Sequence, residues 1–407
     1  MRVGHGAQRL EVVAGERMGG YADRSQGVRS VLEPLEVHVV TFADEAHRFA
    51  LVVADLICVN TDIVELIRAA FLELRIDSCW VAATHTHASP EAGCVPGGSP
   101  TPPALGERIV DAAVAAAKAA VVDERATSLG YTRAWVAGLA GRRNAGDATP
   151  IDVPVDAIVV SNEETVVGVV TVSPVHPTVL PADNSDVSAD LNGGIRRVLD
   201  APGRWVVAAT GAAGNISTRH TRQGRSLNEI DRLAAVAANS LELDAARRSQ
   251  PADGTIHPPA SRVIRLEPKL PAEVEAAMAA VPPAAIQADA RSHEVFEQGR
   301  RIARELATQR RVEAYDVEIQ AVSLAGITLV AIPGELFLEL GESIRGAAGS
   351  DVIVLGYANG YLGYLPSLST PPTYETLVSP VRLGSGEQVV DAAVHIAESV
   401  RGGEERT

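Results

Sequence analysis

Two histidines separated by one residue stand at the end of an apolar run. His85 and His87 follow the run 79–83 and precede a Ser-Pro pair at 89–90. In a β-strand, side chains two residues apart point to the same face, so both imidazoles would project together from the strand end. Neutral imidazole nitrogen is a common zinc ligand. The pattern predicts either a metal site or a pair of strand-end histidines bonded to backbone, and this motif alone leaves both open.

A third histidine closes a second strand-like run. His176 follows the β-branched run 166–172, and Pro177 disfavours helical backbone at His176. Sites in α/β proteins are assembled at the carboxyl ends of parallel strands. Histidines at two separate strand ends therefore predict one convergent site.

A hydroxyl lies at another strand end. Ser217 follows the apolar run 204–210 in a turn of small residues, where it could act as a nucleophile or as an oxyanion contact. The turn is not Gly-x-Ser-x-Gly, so the elbow motif of serine hydrolases is absent.

A carboxylate and a group of tyrosines follow the last apolar runs. Glu335 follows the run 327–332 after Pro333 and Gly334, and it could cap a helix or bind a metal. Tyr357, Tyr361 and Tyr364 lie close together in a chain whose aromatic content is only 4%. Taken singly, each tyrosine is typical of packing at the rim of a site.

The strand-like and helix-like patterns around these groups predict an α/β protein with mixed sheets flanked by helices. Runs at 35–42 and 48–59 predict two strands joined by a turn, and 61–74 has apolar residues at helical spacing. The segment 271–309, rich in Ala and charged residues, predicts a helical elaboration on one flank. No internal sequence repeat is visible, and we predict one domain over 1–407.

Two polar features favour structural roles when considered alone. Asp55 lies inside an apolar run, where an acceptor at a strand end or helix cap is favoured over a metal ligand. The pair Arg142-Arg143 lies next to glycine and is typical of a solvated turn.

Charge and cysteine content limit the partners and the compartment. A net charge of -15 argues against nucleic acid, whose binders concentrate Lys and Arg on one face. Cys58, Cys79 and Cys94 are an odd, scattered set that fits a reducing compartment better than a disulfide framework. With no signal-like start and no apolar run of about 18 residues, we expect a cytoplasmic chain without an integral membrane segment. A homo-oligomer is compatible with the sequence.

Five motifs occur in an order that resembles the catalytic domain of the neutral/alkaline non-lysosomal ceramidases. They are His-x-His, His-Pro-Thr, Gly-Asn-x-Ser, Pro-Gly-Glu and Asn-x-Tyr-x-x-Tyr, which begin at His85, His176, Gly214, Pro333 and Asn359. Five ordered motifs are far more specific than one, and the resemblance spans most of the chain. The chain is similar to a short bacterial-type member without the immunoglobulin-like C-terminal domain of the family.

The resemblance implies a zinc site and roles for the side chains around it. The implied zinc ligands are His85, His176, Glu335 and Tyr364. The implied catalytic groups are His87 as proton shuttle or oxyanion contact, Ser217 as a contact to substrate or water, and Arg142 and Tyr374 as hydrogen-bond donors. Two imidazoles and one carboxylate would leave zinc Lewis-acidic, with room for a water that can attack an amide.

The expected function is zinc-dependent hydrolysis of a linear N-acyl amide. The family's Thr-His-Thr-His-Ser-Gly-Pro is replaced here by 84–90, and its Gly-Asp-x-Ser by 214–217. Because a two-tailed lipid needs a long apolar groove, we expect a substrate smaller than ceramide. Two alternatives remain: acyl transfer or amide synthesis in the same zinc pocket, and a metal-free binding protein that retains the fold.

Overall fold

The computed structural model describes residues 1–22, 24–95, 99–143, 150–249, 254–280, 290–309 and 313–401. Three groups of elements follow one another along the chain. The first consists of β1 (Arg2–Leu10), β2 (Ser30–Val31), β3 (Leu35–Ala43), β4 (Arg48–Ala54), α1 (Thr61–Glu73), β5 (Ser78–Ala83), α2 (Pro103–Asp123) and β6 (Arg125–Ala126).

The second group contains two short helices after its sheet. It consists of β7 (Ser128–Arg142), β8 (Pro150–Ser161), β9 (Val166–Ser173), β10 (Asp186–Val187), α3 (Asp190–Leu199), β11 (Trp205–Thr210), β12 (Ile216–Ser217), a 3₁₀ turn (Thr218–His220), α4 (Leu227–Ala238) and α5 (Leu243–Arg248).

The third group carries the helical insertion. It consists of β13 (Ile256–Leu266), α6 (Pro271–Ala280), α7 (Ala290–Gln309), β14 (Tyr315–Leu324), β15 (Ile327–Ala331), β16 (Glu335–Leu336), α8 (Leu338–Ala348), β17 (Val352–Leu355), β18 (Tyr364–Leu365), α9 (Tyr374–Val378) and α10 (Ser385–Arg401).

The main sheets of the three groups share one topology. Their strand orders are β5-β4-β3-β1, β11-β9-β8-β7 and β17-β15-β14-β13, with β6 and β12 added at the edges of the first two. In each sheet the first-named pair is parallel and the remaining pairs are antiparallel. In each sheet one helix connects the two parallel strands: α1 in the first, α3 in the second and α8 in the third. The mixed α/β architecture is therefore as predicted, and it contains a threefold repetition of topology that no sequence repeat signals.

The three sheets pack their inner faces around one central core. In β4, Leu51 and Val53 belong to this central cluster, while Ala50 and Val52 belong to the cluster that includes residues of α1 and α2. Successive strand residues point to opposite faces, so β4 is buried on both sides. A strand covered on both faces is expected to be a nearly continuous apolar run, and this is why its presence could be predicted from sequence.

The second predicted strand ends earlier than expected because of Asp55. The carboxylate of Asp55, fully buried directly after β4, accepts two bonds from the Arg196 guanidinium, at 2.9 and 2.7 Å, and one from the Glu36 backbone N–H at 3.0 Å. Asp55 is thus a strand-end acceptor, as its position favoured.

The first strand, β1, was not predicted because two of its residues are glycines. A Cβ atom at Gly4 or Gly6 would lie 2.0 Å from the Ala120 carbonyl oxygen or 2.1 Å from that of Ala116. The missing side chains let α2 approach the sheet closely. Close backbone approach is a common reason for glycine inside a strand.

The predicted helical elaboration is present as α6 and α7, and the part of it at 281–289 lies outside the described residues. Val274 and Met278 of α6 pack with Ala303 of α7 and Leu377 of α9. None of the helices in the described ranges is both long and apolar enough to cross a membrane.

The cysteine prediction is wrong for two of the three residues. Cys58 and Cys94 form a disulfide, and Cys79 is a buried free thiol. Cys58 follows β4 and Cys94 lies in the loop after the His85-x-His87 segment, so folding of the first sheet brings together residues 36 positions apart. The cysteines consequently give no support to a reducing compartment.

Opening this disulfide should destabilise the chain measurably. A crosslink that closes a loop of 36 residues contributes about 3–4 kcal/mol in the chain-entropy model. We expect Cys94→Ser to lower the free energy of unfolding by that amount in urea titrations without reductant. Wild type in reductant should match the variant, and an unchanged midpoint in both would contradict a structural role for the crosslink.

Candidate metal centre

The predicted site residues converge at the carboxyl ends of the parallel strand pairs. His85 and His87 follow β5, His176 follows β9, and Glu335 follows β15. Each of the three sheets thus contributes at least one polar group to the same place. This is the convergence that strand-end histidines predicted, extended from two sheets to three.

Backbone hydrogen bonds between the loops hold the strand ends in register. The Ala83 N–H donates to the Tyr357 carbonyl at 3.1 Å, and the His176 N–H donates to the Ile216 carbonyl at 3.0 Å. The Gly214 N–H donates to the Leu336 carbonyl at 2.9 Å. The first and third of these bonds join different groups of elements, and the second joins two loops of the second sheet, so the relative positions of the site loops are set by backbone as well as by side chains.

Three acceptor atoms meet at the centre of the site. The Nε2 atoms of His85 and His176 are 3.2 Å apart, and Glu335 Oε2 lies 3.3 Å from the first and 3.0 Å from the second. The Nδ1 atoms of His85 and His176 each lie 2.6 Å from a backbone carbonyl, of Ile57 and Ala213 respectively. A carbonyl only accepts, so Nδ1 carries a hydrogen in both rings, and an unprotonated Nε2 would direct its lone pair toward the centre of the site.

These acceptors fit a divalent cation. Burial, together with nearby Arg143, lowers the pKa of His176 to about 4, so its inward nitrogen carries no proton near neutral pH. Ligands bound tetrahedrally to zinc at about 2.0–2.1 Å stand roughly 3.3 Å apart, which is the spacing observed here. Carbonyl partners on Nδ1 are also the usual outer contacts of metal-bound histidine. The three inward-facing atoms are therefore arranged as metal ligands would be.

A second grouping of histidines overlaps with the first. The ligand atoms of His85, His87 and His176 all lie within 4.8 Å of one another, and all three side chains are buried. This group can also hold a metal ion, so the geometry permits His87 as a ligand as well as a proton carrier.

Glu335 is held as a carboxylate by its neighbours. Although burial acts in the opposite direction, the imidazoles of His85 and His176 hold the pKa of Glu335 well below its usual range. The Tyr361 hydroxyl donates to Glu335 Oε1 at 2.6 Å and leaves Oε2 facing the histidines. Sequence reasoning grouped Tyr361 with two other tyrosines but gave it no role, and its place in Tyr-x-x-Tyr was the available signal.

Backbone strain is concentrated at the site. His85 and Tyr357 adopt positive φ, 61° and 55°, and their rings stack with centroids 3.9 Å apart. Positive φ is uncommon for residues other than glycine and is found where the surrounding structure enforces it. Here the strained backbone turns the His85 ring away from the strand direction and toward the other acceptors.

His87 is buried and has no hydrogen-bond partner among the described residues at either ring nitrogen. Burial, with the nearby rings of His85 and His176, lowers its pKa well below the usual value. Tyr21 packs against the ring edge-on at 4.8 Å. A Cβ atom on Gly20, where φ is +92°, would lie 2.6 Å from the ring. His87 is thus a neutral imidazole confined between the metal centre and the chain's opening loop.

The structure places Arg143, and not the predicted Arg142, among the groups of the site. Arg142, about two-fifths exposed, donates to Glu339 at 2.9 Å and lies away from the histidines. Arg143 instead is buried in the site, where it donates to the Tyr364 hydroxyl at 2.6 Å and pairs with Glu375. Adjacent residues at a strand end point to opposite sides, so only one of the two could face the centre.

The remaining predicted residues surround the centre. The Tyr364 ring stacks near His176, with centroids 6.4 Å apart, and Tyr374 packs edge-on against Tyr364 at 6.2 Å. Burial raises the pKa of Tyr364 well above its usual value. Ser217 is buried, and its Oγ accepts the Arg219 N–H at 3.3 Å. In the described part of the chain no imidazole or carboxylate bonds to Ser217, so a catalytic triad around it is not formed.

A cavity of about 830 Å³ opens onto these groups. Its inner wall includes His87, Arg143, Ser217, Tyr364 and Tyr374. The helical elaboration reaches it through Glu294, Val295 and Gln298 of α7. A molecule in this cavity would contact every predicted catalytic side chain except Arg142.

Comparison with solved structures identifies the same architecture. A crystal structure of neutral ceramidase from Pseudomonas aeruginosa superposes with a TM-score of 0.74 over 98% of this chain and 74% of that one, at 16% identity. A ceramidase complexed with C2 gives a TM-score of 0.74 and 16% identity, over 98% and 75% of the two chains. No protein-family model and no curated protein sequence matches the chain.

Proposed function

We propose that this chain, which has the fold of the neutral ceramidases, is a zinc-dependent amidohydrolase that cleaves a linear N-acyl amide with water. The observation that carries the proposal is the meeting of His85 Nε2, His176 Nε2 and Glu335 Oε2 at 3.0–3.3 Å. A large cavity is lined by His87, whose ring centroid lies 5.0 Å from that of His85 and 5.7 Å from that of His176, and this adds support. The likeness to ceramidases makes an amide the favoured substrate class.

The metal ion would be held by His85, His176 and Glu335, with Tyr364 as the fourth protein ligand. A zinc ion at that position supplies Lewis acidity toward an amide carbonyl and toward water. The carbonyl contacts on both Nδ1 atoms keep the two rings oriented and their Nε2 atoms basic. Tyr361 holds the other oxygen of Glu335 and so keeps the carboxylate from rotating.

The residues of the cavity wall have roles in proton transfer and charge stabilisation. His87, neutral and without a partner at either nitrogen, accepts a proton from the attacking water and returns it to the departing amine nitrogen. Arg143 and Tyr374 are donors for the carbonyl oxygen as negative charge develops on it. Ser217 contacts substrate or water and is not a nucleophile, because no base activates it.

A chain-length series tests the reaction. Purified protein would be treated with chelator, reloaded with zinc, and incubated with N-acyl ethanolamines carrying acyl chains from acetyl to palmitoyl. We expect release of fatty acid and amine by the zinc-loaded form only, measured by mass spectrometry. Stoichiometric metal in the untreated protein would exclude a metal-free binding protein, and its absence would contradict the proposal.

An added amine separates hydrolysis from acyl transfer. With hydroxylamine present at high concentration, a hydrolase should still yield mainly the free acid, whereas an acyltransferase should yield mainly the hydroxamate. A predominance of hydroxamate would replace hydrolysis with the alternative reaction.

We also retain a cytoplasmic location as part of the proposal. It now lacks the argument from cysteines, because Cys58 and Cys94 are joined. Counting free thiols in protein isolated from its native source, with rapid alkylation, would test it. Free thiols at Cys58 and Cys94, in addition to the one at Cys79, would favour a reducing compartment.

A further inference from the structure

An arginine-rich loop that the proposed reaction does not use lines the outer cavity. The loop begins two residues after Ser217 and carries an arginine at every third position, namely Arg219, Arg222 and Arg225. All three line the same cavity as His87 and Arg143. Backbone carbonyls fix two of them: Arg219 donates to the Arg143 carbonyl at 3.2 Å, and Arg222 donates to that of Thr178. The loop therefore presents guanidinium groups from fixed positions.

The cavity has the opposite charge to the chain as a whole. Five arginines line it, against three acidic side chains, in a protein whose net charge is -15. The arginines are Arg24, Arg143, Arg219, Arg222 and Arg225, and the acids are Asp183, Glu294 and Glu375. A concave surface of one sign focuses the field and raises the local concentration of ligands of the other sign.

The cavity wall also lacks the surface that a long hydrocarbon chain requires. Among the described residues that line it, none is Leu, Ile, Phe or Met, and the largest aliphatic side chain is Val295. A CH₂ group adds to binding only where it is buried against an apolar neighbour. The three tyrosines of the wall, Tyr21, Tyr364 and Tyr374, offer ring faces for a short acyl group and little more.

We propose that the substrate is a short N-acyl amide that carries an oxyanion group, a carboxylate or a phosphate, recognised by the Arg219–Arg225 loop. This inference rests on the proposed function and specifies its substrate class. The fork of N–H groups in guanidinium matches the paired oxygens of carboxylate and phosphate. Because the loop and His87 line the same cavity, an anion held by the loop would keep the amide in the cavity beside His87.

Binding of uncleavable analogues tests the inference independently of turnover. The charged probes are N-butanesulfonyl glycine and N-butanesulfonyl ethanolamine phosphate. Their neutral counterparts are N-butanesulfonyl glycinamide and N-butanesulfonyl ethanolamine, respectively. Titration calorimetry with zinc-loaded protein should give at least tenfold tighter binding of each charged member at about 0.05 M salt, and the preference should shrink at 0.5 M salt. The two charged probes distinguish a carboxylate from a phosphate as the preferred group.

Variants in the loop locate the effect. Arg225→Gln removes an exposed guanidinium and should reduce the preference for the charged probe about threefold, and Arg219→Gln/Arg225→Gln should nearly abolish it. Arg248→Gln, also exposed but outside the cavity, is the matched control and should change nothing. Circular dichroism and the unfolding midpoint would verify that the double variant is folded.

The outcomes distinguish this inference from the proposed function. Equal binding of charged and neutral probes would overturn it even if neutral amides are hydrolysed, and so would tighter binding of N-hexanoyl sphingosine than of any charged probe. A preference for charged probes that disappears with the loop arginines would support it even if no amide is cleaved, in which case the hydrolase proposal alone would fail.

Discussion

Replacing either His85 or Glu335 with alanine should remove the metal ion and the activity together. The two residues supply adjacent corners of the acceptor group, His85 Nε2 and Glu335 Oε2, 3.3 Å apart. Loss of an outer contact of a metal ligand costs about 10–100-fold in affinity or activity, and loss of a ligand itself should exceed that. We expect elemental analysis to fall from about one zinc per chain to background, with hydrolysis falling more than 100-fold.

Controls separate metal loss from unfolding. Glu335→Gln keeps the shape of the side chain and should also lose the metal, because it removes the charge that the ion requires. Ser217→Ala should keep a full complement of zinc, since the partner of the Ser217 hydroxyl in the described part of the chain is the Arg219 backbone N–H and not a group of the candidate metal site. Zinc retained in both His85→Ala and Glu335→Ala would contradict the ligand assignment.

Arg143 and Arg142 form a matched pair for the second prediction. Arg143→Gln removes the only arginine that contacts Tyr364 in the described part of the chain, and one lost donor to a developing oxyanion costs about 10²–10³-fold in kcat. Arg142→Gln changes a side chain paired with Glu339 on the far side of the strand, and kcat should stay within about twofold, as for most surface changes. Steady-state kinetics on the two variants measures the difference.

A double variant separates catalysis from stability at this position. Arg143→Gln removes the ion pair that Arg143 makes with the buried Glu375, which should cost about 3–5 kcal/mol of unfolding free energy. Arg143→Gln/Glu375→Gln should regain most of that stability and none of the activity. If kcat recovered together with stability, Arg143 would be a structural residue only.

The convergence of the candidate metal-binding group could be predicted because each member follows a recognisable strand. His85, His176 and Glu335 follow runs of aliphatic residues that are buried on both faces, and such runs are easy to identify from sequence. The resemblance to ceramidases then selected these residues from the other polar groups. What the sequence could not supply is the angle of each ring, which depends on the positive φ of His85 and on the carbonyls of Ile57 and Ala213.

The errors have physical causes that sequence alone does not reveal. Arg142 and Arg143 are chemically identical neighbours, and which of them faces the site depends on the exact end of β7 and its pairing with Ile216. Cys58 and Cys94 come together only because β4 and the loop after β5 meet at the same end of the first sheet. Both depend on long-range geometry, whereas sequence patterns report local periodicity.

The threefold topology was invisible for a similar reason. Each group has two antiparallel strands and a helix-linked parallel pair in the same order. The side chains that follow the strands differ, however: two histidines after β5, one histidine after β9 and a glutamate after β15. Sheet order depends on which strands pair, and many different apolar residues satisfy the same pairing. The repetition therefore persists in topology without a repeat in sequence.

The most direct test of the account is anomalous diffraction at the zinc absorption edge from crystals of untreated protein. One strong peak is expected within about 2.0–2.3 Å of His85 Nε2, His176 Nε2 and a Glu335 oxygen. A fully occupied zinc ion elsewhere in the chain, or no peak among these three side chains in crystals grown with zinc, would contradict it.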